Sequence, residues 1–464
     1  MRYISTRGGV PQADFRTVLF AGLAPDGGLF VPDSWPSFTP DELRSLRGLS
    51  YPETVLAVMR PFVGDAMTEA ELEGVIARAY APFRHAATAP LRQLGPDLWL
   101  LELFHGPTFA FKDFAMQLLG GLFEHFLARS GETITIVGAT SGDTGAAALA
   151  AFAGKRGVRI AILHPHGRVS DIQRRQMTTL MDANVLNLAL EGTFDDCQAI
   201  VKAMLGDRAL ADELHLAAVN SINWVRIVAQ TAYYIHAALR LGGPDRAPVF
   251  VVPTGNFGNV YAGWVATRMG LPIERLVVAS NTNDILPVFF REGRYARSGV
   301  TPTLSPSMDI QVASNFERLL FELCDRDGDR LRELMAGFAD EGTLSVGHNR
   351  LARAREGFGA AAVSEAETLA EIEDTLARTG EIVCPHTAVG LHVARRTQAP
   401  AGAPVIALAT AHPAKFGDAV ERAIGRAPVL PPALAGLVEG EERYDILGVD
   451  AAQVVERVRA LAGG

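Results

Sequence analysis

Two stretches of the chain repeat one device: an apolar run of strand length, a loop of glycine with hydroxyl or amide residues, then a helix. Ile134-Thr135-Ile136-Val137 enters Gly138-Ala139-Thr140-Ser141-Gly142-Asp143-Thr144-Gly145 and an alanine-rich helix from Ala146 to Ala153. Val249-Phe250-Val251-Val252 enters Pro253-Thr254-Gly255-Asn256-Phe257-Gly258-Asn259 and a helix from Val260 to Met269. Strand, short loop and helix in repetition predict a parallel sheet covered by helices, an α/β fold. Further strands are expected at 98–103, 159–163, 184–188, 277–280 and 405–408.

A chain of 464 residues exceeds one core. The texture divides it into a helical unit over 1–92, an α/β unit over 93–220, a second α/β unit over 221–426 and a tail over 427–464. Thr39, Thr68 and Ser364 each stand three residues before Glu, the form of a capping box. From about 313 to 380 the strand pattern disappears, which predicts a helical insertion in the second unit.

Charge and cysteine usage narrow the partners. The net charge is −9, with no basic block or basic–aromatic interleaving, which argues against nucleic acid. Cys197, Cys324 and Cys384 lie too far apart for a disulfide framework or a metal-ligand set. Residues 1–7 lack the apolar core of a signal peptide, and no apolar run reaches bilayer length, so a cytoplasmic location is expected.

Five stretches carry residues suited to chemistry. Phe104-His105-Gly106-Pro107-Thr108-Phe109-Ala110-Phe111-Lys112-Asp113-Phe114 sets one lysine among four phenylalanines. Desolvation lowers an ammonium pKa and makes the amine nucleophilic, although a lysine at a helix start also fits snorkelling to water. The Gly255–Asn259 loop, between strand and helix, offers backbone N–H groups to an anion. The Thr140–Thr144 loop suits a carboxylate or phosphate. Thr410-Ala411-His412-Pro413-Ala414-Lys415 closes the last clear strand, where ligands of open α/β sheets sit. Asn220-Ser221-Ile222-Asn223-Trp224-Val225-Arg226 adds a guanidinium able to clamp a phosphate. Together they form a set suited to pyridoxal 5'-phosphate on a doubly wound scaffold.

At these motifs the chain resembles the threonine synthase family, within the tryptophan-synthase-β-like, fold type II pyridoxal-phosphate enzymes. Tyr3-Ile4-Ser5-Thr6-Arg7-Gly8, the Lys112 stretch, Ala139–Gly145, Asn220–Trp224, Pro253–Asn259, Pro385-His386-Thr387-Ala388-Val389-Gly390 and Thr410–Pro413 carry the likeness in order. The N-terminal unit and insertion resemble the longer fungal and bacterial branch, not the plant-type branch regulated by S-adenosylmethionine. Cys384 departs from the pattern, which places an acidic residue there in many relatives.

The resemblance implies two doubly wound α/β domains and a lyase of threonine biosynthesis. Its substrate would be O-phospho-L-homoserine, and the chain would be a monomer or homodimer without a metal. It makes Lys112 the catalytic, Schiff-base lysine. Gly255, Asn256, Phe257, Gly258 and Asn259 would hold the cofactor phosphate, with Thr410 facing the pyridine nitrogen. Thr140, Ser141, Gly142, Asp143 and Thr144 would take the substrate carboxylate or lie close to the cofactor ring. Asn223, Arg226 and Lys415 are the candidates for the substrate phosphate. A threonine or serine dehydratase, an O-phosphohomoserine phospho-lyase of the same fold, or a silent binding protein are the competing expectations.

Overall fold

The computed structural model describes residues 1–463. β1 (Tyr3–Ser5) pairs antiparallel with β2 (Phe30–Pro32), and the helices Tyr51–Val63 and Glu69–Tyr80 follow. The capping boxes at Thr39, Thr68 and Ser364 are all formed, each side chain bonding the backbone N–H three residues on.

β3 (Leu91–Gln93) and β4 (Leu98–Glu102) make a hairpin, and the Lys112 helix (Lys112–Ser130) comes next. β5 (Ile134–Ala139), β6 (Val158–Pro165), β7 (Val185–Leu190) and β8 (Leu216–Ala217) form one parallel sheet. β9 (Val249–Pro253) and β10 (Arg275–Ser280) belong to another. β11 (Arg294–Ala296) and β12 (Thr343–Ser345) pair with each other, and β13 (Phe358–Ala362), β14 (Val405–Ala409) and β15 (Asp445–Leu447) complete the set.

The larger sheet runs β13-β10-β9-β14-β4-β3, parallel except for β3, and the smaller runs β15-β7-β6-β5-β8, all parallel. β9 and β14 are buried at every residue, as expected of central parallel strands with helices on both faces.

Three features depart from the sequence expectations. β4 lies in the sheet of β9 and β14, with Leu98 opposite Val405 and Glu102 opposite Ala409, although its position suggested the earlier unit. The insertion contains a strand: β13, Phe-Gly-Ala-Ala-Ala, runs parallel to β10, carried by backbone pairing in spite of residues that rarely favour strands. The tail returns to the smaller sheet, where β15 extends β7.

A helix over Trp224–Arg240 runs through the centre and is buried from Trp224 to Leu239. It packs against the helix Tyr51–Val63, the Lys112 helix and the helix Gly258–Arg268. The burial takes in four polar side chains, Arg226, Gln230, Thr231 and His236.

Arg318, fully buried, ties the N-terminal unit to this centre. Its guanidinium donates to the Phe30 carbonyl at 2.9 and 3.1 Å, to the Ile222 carbonyl at 2.7 Å and to Asn315 Oδ1. Beside it, Arg7 bridges Glu317 through two nitrogens, at 3.2 and 2.9 Å. Arg318→Met strands two buried carbonyls and is expected to cost roughly 2–4 kcal/mol. The check is a lower denaturant midpoint, with faster amide exchange at Tyr3–Ser5, Phe30 and Val31.

Candidate active site

Parallel strands deliver their following loops to one end of a sheet. The loops after β4, β5, β9 and β14 meet at a cavity of about 1170 Å³ lined by Lys112, Asp143, Arg226, Gly255 and Thr410 among others. The backbone sets the lysine in place. Leu103 N–H bonds the Ala409 carbonyl at 3.0 Å, Phe111 N–H the Thr410 carbonyl at 2.8 Å and His412 N–H the Phe109 carbonyl at 3.0 Å. The end of β14 thus grips the turn on both sides, and Lys112 begins the next helix.

The Lys112 side chain is 12% exposed, with Nζ 3.6 Å from Asp143 Oδ2. Burial pulls its ammonium below the ordinary lysine value. Asp143 opposes that, while Lys415 and Arg226 add to it. Burial alone would raise the Asp143 carboxyl, but Lys415 and Lys112, with bonds from Lys415 and Gln173, hold it well below the usual carboxylate range. Lys415 Nζ lies 2.7 Å from Asp143 Oδ1, and Gln173 Nε2 donates to the same oxygen at 2.9 Å.

The phenylalanines divide their work. Only Phe111 lies over Nζ, at 5.6 Å from its ring centroid. Phe104 and Phe109 pack on His412, and Phe114 sits in the core against Tyr51 and Tyr80. Asp113 turns back onto the loop, accepting from Thr108 N–H at 2.8 Å and Thr108 Oγ1 at 2.7 Å. Thr108 therefore shapes the turn, and His105 pairs with Glu102 at 2.7 Å.

The Pro253–Asn259 loop is bent by Phe257 at φ +63°, a left-handed conformation uncommon for a bulky residue. The first intrahelical bond that follows is Tyr261 N–H to the Phe257 carbonyl at 3.0 Å, so the amides of residues 258–260 have no carbonyl partner within the helix. Gly255 admits no side chain, since a Cβ there would lie 2.6 Å from the Ser307 carbonyl oxygen. Ser307 is pinned in turn, donating its N–H to His386 Nε2 at 3.2 Å. Burial pushes His386 down to about 3, which keeps this nitrogen an acceptor.

The cavity brings together Lys112, Gly255, Asn256, Phe257, Gly258, Asn259, Thr410, Thr140, Ser141, Asp143, Thr144 and Arg226. Gly142, Asn223 and Lys415 do not line it. Gly142, at φ +143°, lies against Gln173, where a Cβ would come within 2.5 Å. Asn223 caps the central helix, accepting from Val225 N–H at 3.0 Å and donating to the Leu19 carbonyl at 2.9 Å, so its amide is consumed. Lys415 is fully buried behind Asp143. Thr140 is also turned inward, its hydroxyl accepting from Gly142 N–H at 3.0 Å and Gly145 N–H at 2.8 Å. Gln173 and Ser307 escaped sequence reasoning, since neither stands in a motif. Cys384 caps the helix Pro385–Ala394, its Sγ accepting from Thr387 N–H at 3.4 Å, the place an acidic side chain would take.

These residues fit pyridoxal phosphate. An amine whose charged form burial disfavours faces the cavity, a loop with no room for a side chain at Gly255 offers helix-start amides, and two buried donors, Asn259 Nδ2 and Arg226 Nε, have no protein partner. The parallel sheets, the buried lysine and the anion loop define a fold type II pyridoxal-phosphate enzyme, and residues 81–337 match the family described as "Pyridoxal-phosphate dependent enzyme". Residues 2–80 match "Threonine synthase N terminus" and residues 387–458 match "Threonine synthase, C-terminal". The chain belongs to the threonine synthase family. It is 52% identical to a threonine synthase of Pseudomonas aeruginosa, covering 98% of this chain and 97% of that one. It is 40% identical to that of Schizosaccharomyces pombe, with 98% and 97% covered. A PLP-bound threonine synthase structure from Brucella melitensis matches with TM-score 0.98 at 50% identity, over 100% of both chains.

Burial pushes the Asp113 carboxyl from 3.8 up to about 6, against the Thr108 bonds and Lys415. The fold therefore favours its neutral form. That contribution is full below the unfolded pKa and is lost as pH rises through 6. Asp113→Asn, which keeps a neutral group, is expected to flatten the fall in unfolding free energy between pH 4 and 6 by about 2–3 kcal/mol.

Proposed function

We propose that this chain converts O-phospho-L-homoserine and water into L-threonine and phosphate, by γ-elimination of phosphate followed by β-addition of water. The observation that carries the reading is the placement of Lys112. It is a desolvated amine at the start of a helix, in the same cavity as an anion-binding loop, a strand-end hydroxyl and a guanidinium whose Nε has no protein partner.

Pyridoxal phosphate, when bound, supplies the electron sink for negative charge developing on the substrate carbons. The amides of Gly255–Asn259 would hold its phosphate, and Thr410 would offer a neutral hydroxyl to its ring nitrogen, which would leave that nitrogen largely unprotonated. Lys112 Nζ is the base that takes the α proton and then the β proton, and it returns a proton late in the cycle. Ser141 and Thr144, at the start of the helix Asp143–Phe152, receive the substrate carboxylate, where the helix end favours negative charge.

Arg226 receives the substrate phosphate. It is 3% exposed, and burial pulls it down to about 10. Its Nε has no protein partner, and its one bond, to the Val219 carbonyl, is long at 3.5 Å. An anion is the natural partner for such a group. The net charge fits a protein that works without nucleic acid, and the reading places it in the cytoplasm as a monomer or homodimer. Among the described residues no helix is long and apolar enough to cross a membrane.

Purified protein loaded with cofactor is expected to release phosphate and threonine in equal amounts from O-phosphohomoserine. A product of 2-oxobutyrate and ammonia would replace this reading with the phospho-lyase. Lys112→Ala is expected to lower kcat by about 10²–10⁴-fold, the range for a general base. Arg226→Met is expected to raise KM by about 10–100-fold, the worth of charge-assisted bonds to one anion.

A further inference from the structure

An aspartate beside a nucleophilic lysine poses a problem. A buried carboxylate that pairs with that lysine holds it as an ammonium, and an ammonium has no lone pair. Asp143 stands 3.6 Å from Lys112 Nζ, so the chain has to keep the two from locking. The nearer cation is another lysine. Lys415 Nζ lies 2.7 Å from Asp143 Oδ1 and 2.7 Å from the Thr108 carbonyl, with its side chain fully buried. Gln173 bonds the same carboxylate oxygen at 2.9 Å, and Gln176 bonds the same carbonyl at 2.9 Å. Lys415 comes from the segment Pro413–Phe416 after β14, Asp143 from the start of the helix that follows β5, and Thr108 from the turn before Lys112.

We infer that Lys415 is a positioning residue: it neutralises and fixes the Asp143 carboxylate so that Lys112 keeps a free amine for the cofactor. The inference rests on the cofactor reading given above, and assigns Lys415 to the amine, not to the substrate phosphate. Charge balance around Nζ supports it. Asp143 faces Nζ from the helix Asp143–Phe152, Lys415 from Pro413–Phe416, Arg226 from Trp224–Arg240 and His386 from Pro385–Ala394. His386 is held neutral by burial, and Asp113, on the helix of Lys112 itself, is turned onto Thr108. One anion therefore faces three cations. Without Lys415, the carboxylate has Lys112 as its nearest cation.

Two substitutions act in opposite directions. Lys415→Met removes the competing cation and its repulsion, so the Lys112 ammonium becomes harder to discharge. Asp143→Asn removes the anion and leaves Lys112 beside Lys415 and Arg226, so it becomes easier. The experiment uses the full-length chain freed of cofactor and follows Schiff-base absorbance on adding pyridoxal 5'-phosphate across a pH series. The neutral Nζ attacks the aldehyde carbon and water leaves, so the rate reports the free-amine fraction.

The midpoint of that profile is expected to rise by about one pH unit or more in Lys415→Met and to fall by about one unit in Asp143→Asn, the shifts expected of a charge at this range. Capture by Lys415→Met at a pH below both midpoints falls about 10-fold. A role confined to packing lowers the melting temperature without moving either midpoint. An unmoved or reversed midpoint in either variant overturns the inference. Asp143→Asn is nearly isosteric and tests it even where Lys415→Met does not fold. Failure of the unaltered chain to capture the cofactor would instead overturn the cofactor reading.

Discussion

A carboxylate cut off from water depends on fixed neighbours, and the arrangement of this molecule around its cavity follows from how Asp143 is satisfied. No single element provides enough. Gln173 comes from the helix Asp171–Thr178 after β6 of the smaller sheet, Lys415 from the segment Pro413–Phe416 after β14 of the larger one, and Lys112 from the helix between β4 and β5. The two sheets thus meet at a charge that neither could bury alone. That meeting also fixes the turn before Lys112, because the Thr108 carbonyl accepts from both Lys415 and Gln176. Electrostatics and geometry at the lysine are one constraint.

The same economy recurs at the N-terminal unit. Arg318 serves the carbonyls of Phe30 and Ile222 at once, so the small β1–β2 ribbon is tied to the entry of the central helix. That helix carries Arg226 into the cavity wall two residues after its first residue, Trp224. A unit whose sequence showed only caps and apolar spacing therefore bears on where a guanidinium stands in the cavity.

Legibility in the sequence followed physical cause. The loops after β5 and β9 could be read because glycine and hydroxyl residues between an apolar run and a helix have few other uses. The central strands could be read because full burial demands unbroken apolar runs. β13 could not, since Phe-Gly-Ala-Ala-Ala has little strand preference and is held by pairing with β10. β15 is three residues long, too short for any alternation to register. Lys415 and Asn223, expected at the substrate phosphate, stand outside the cavity lining for one reason: a polar residue near a site reads alike whether it faces the cavity or its supports. Asn223 faces a helix end and the Leu19 carbonyl, and Lys415 faces Asp143. Gln173 left no trace, because a glutamine on a helix carries no pattern.

The pairing of β4 with β14 has a consequence for synthesis. Glu102 lies beside Ala409, so the strand that leads to Lys112 finds its neighbour roughly 300 residues later. At ribosomal speeds of 5–20 residues per second that wait is ~15–60 s. Until then Lys415 has not been made either, and the Asp143 carboxylate lacks its nearer cation. The surroundings of Lys112 are therefore completed only as translation nears its end.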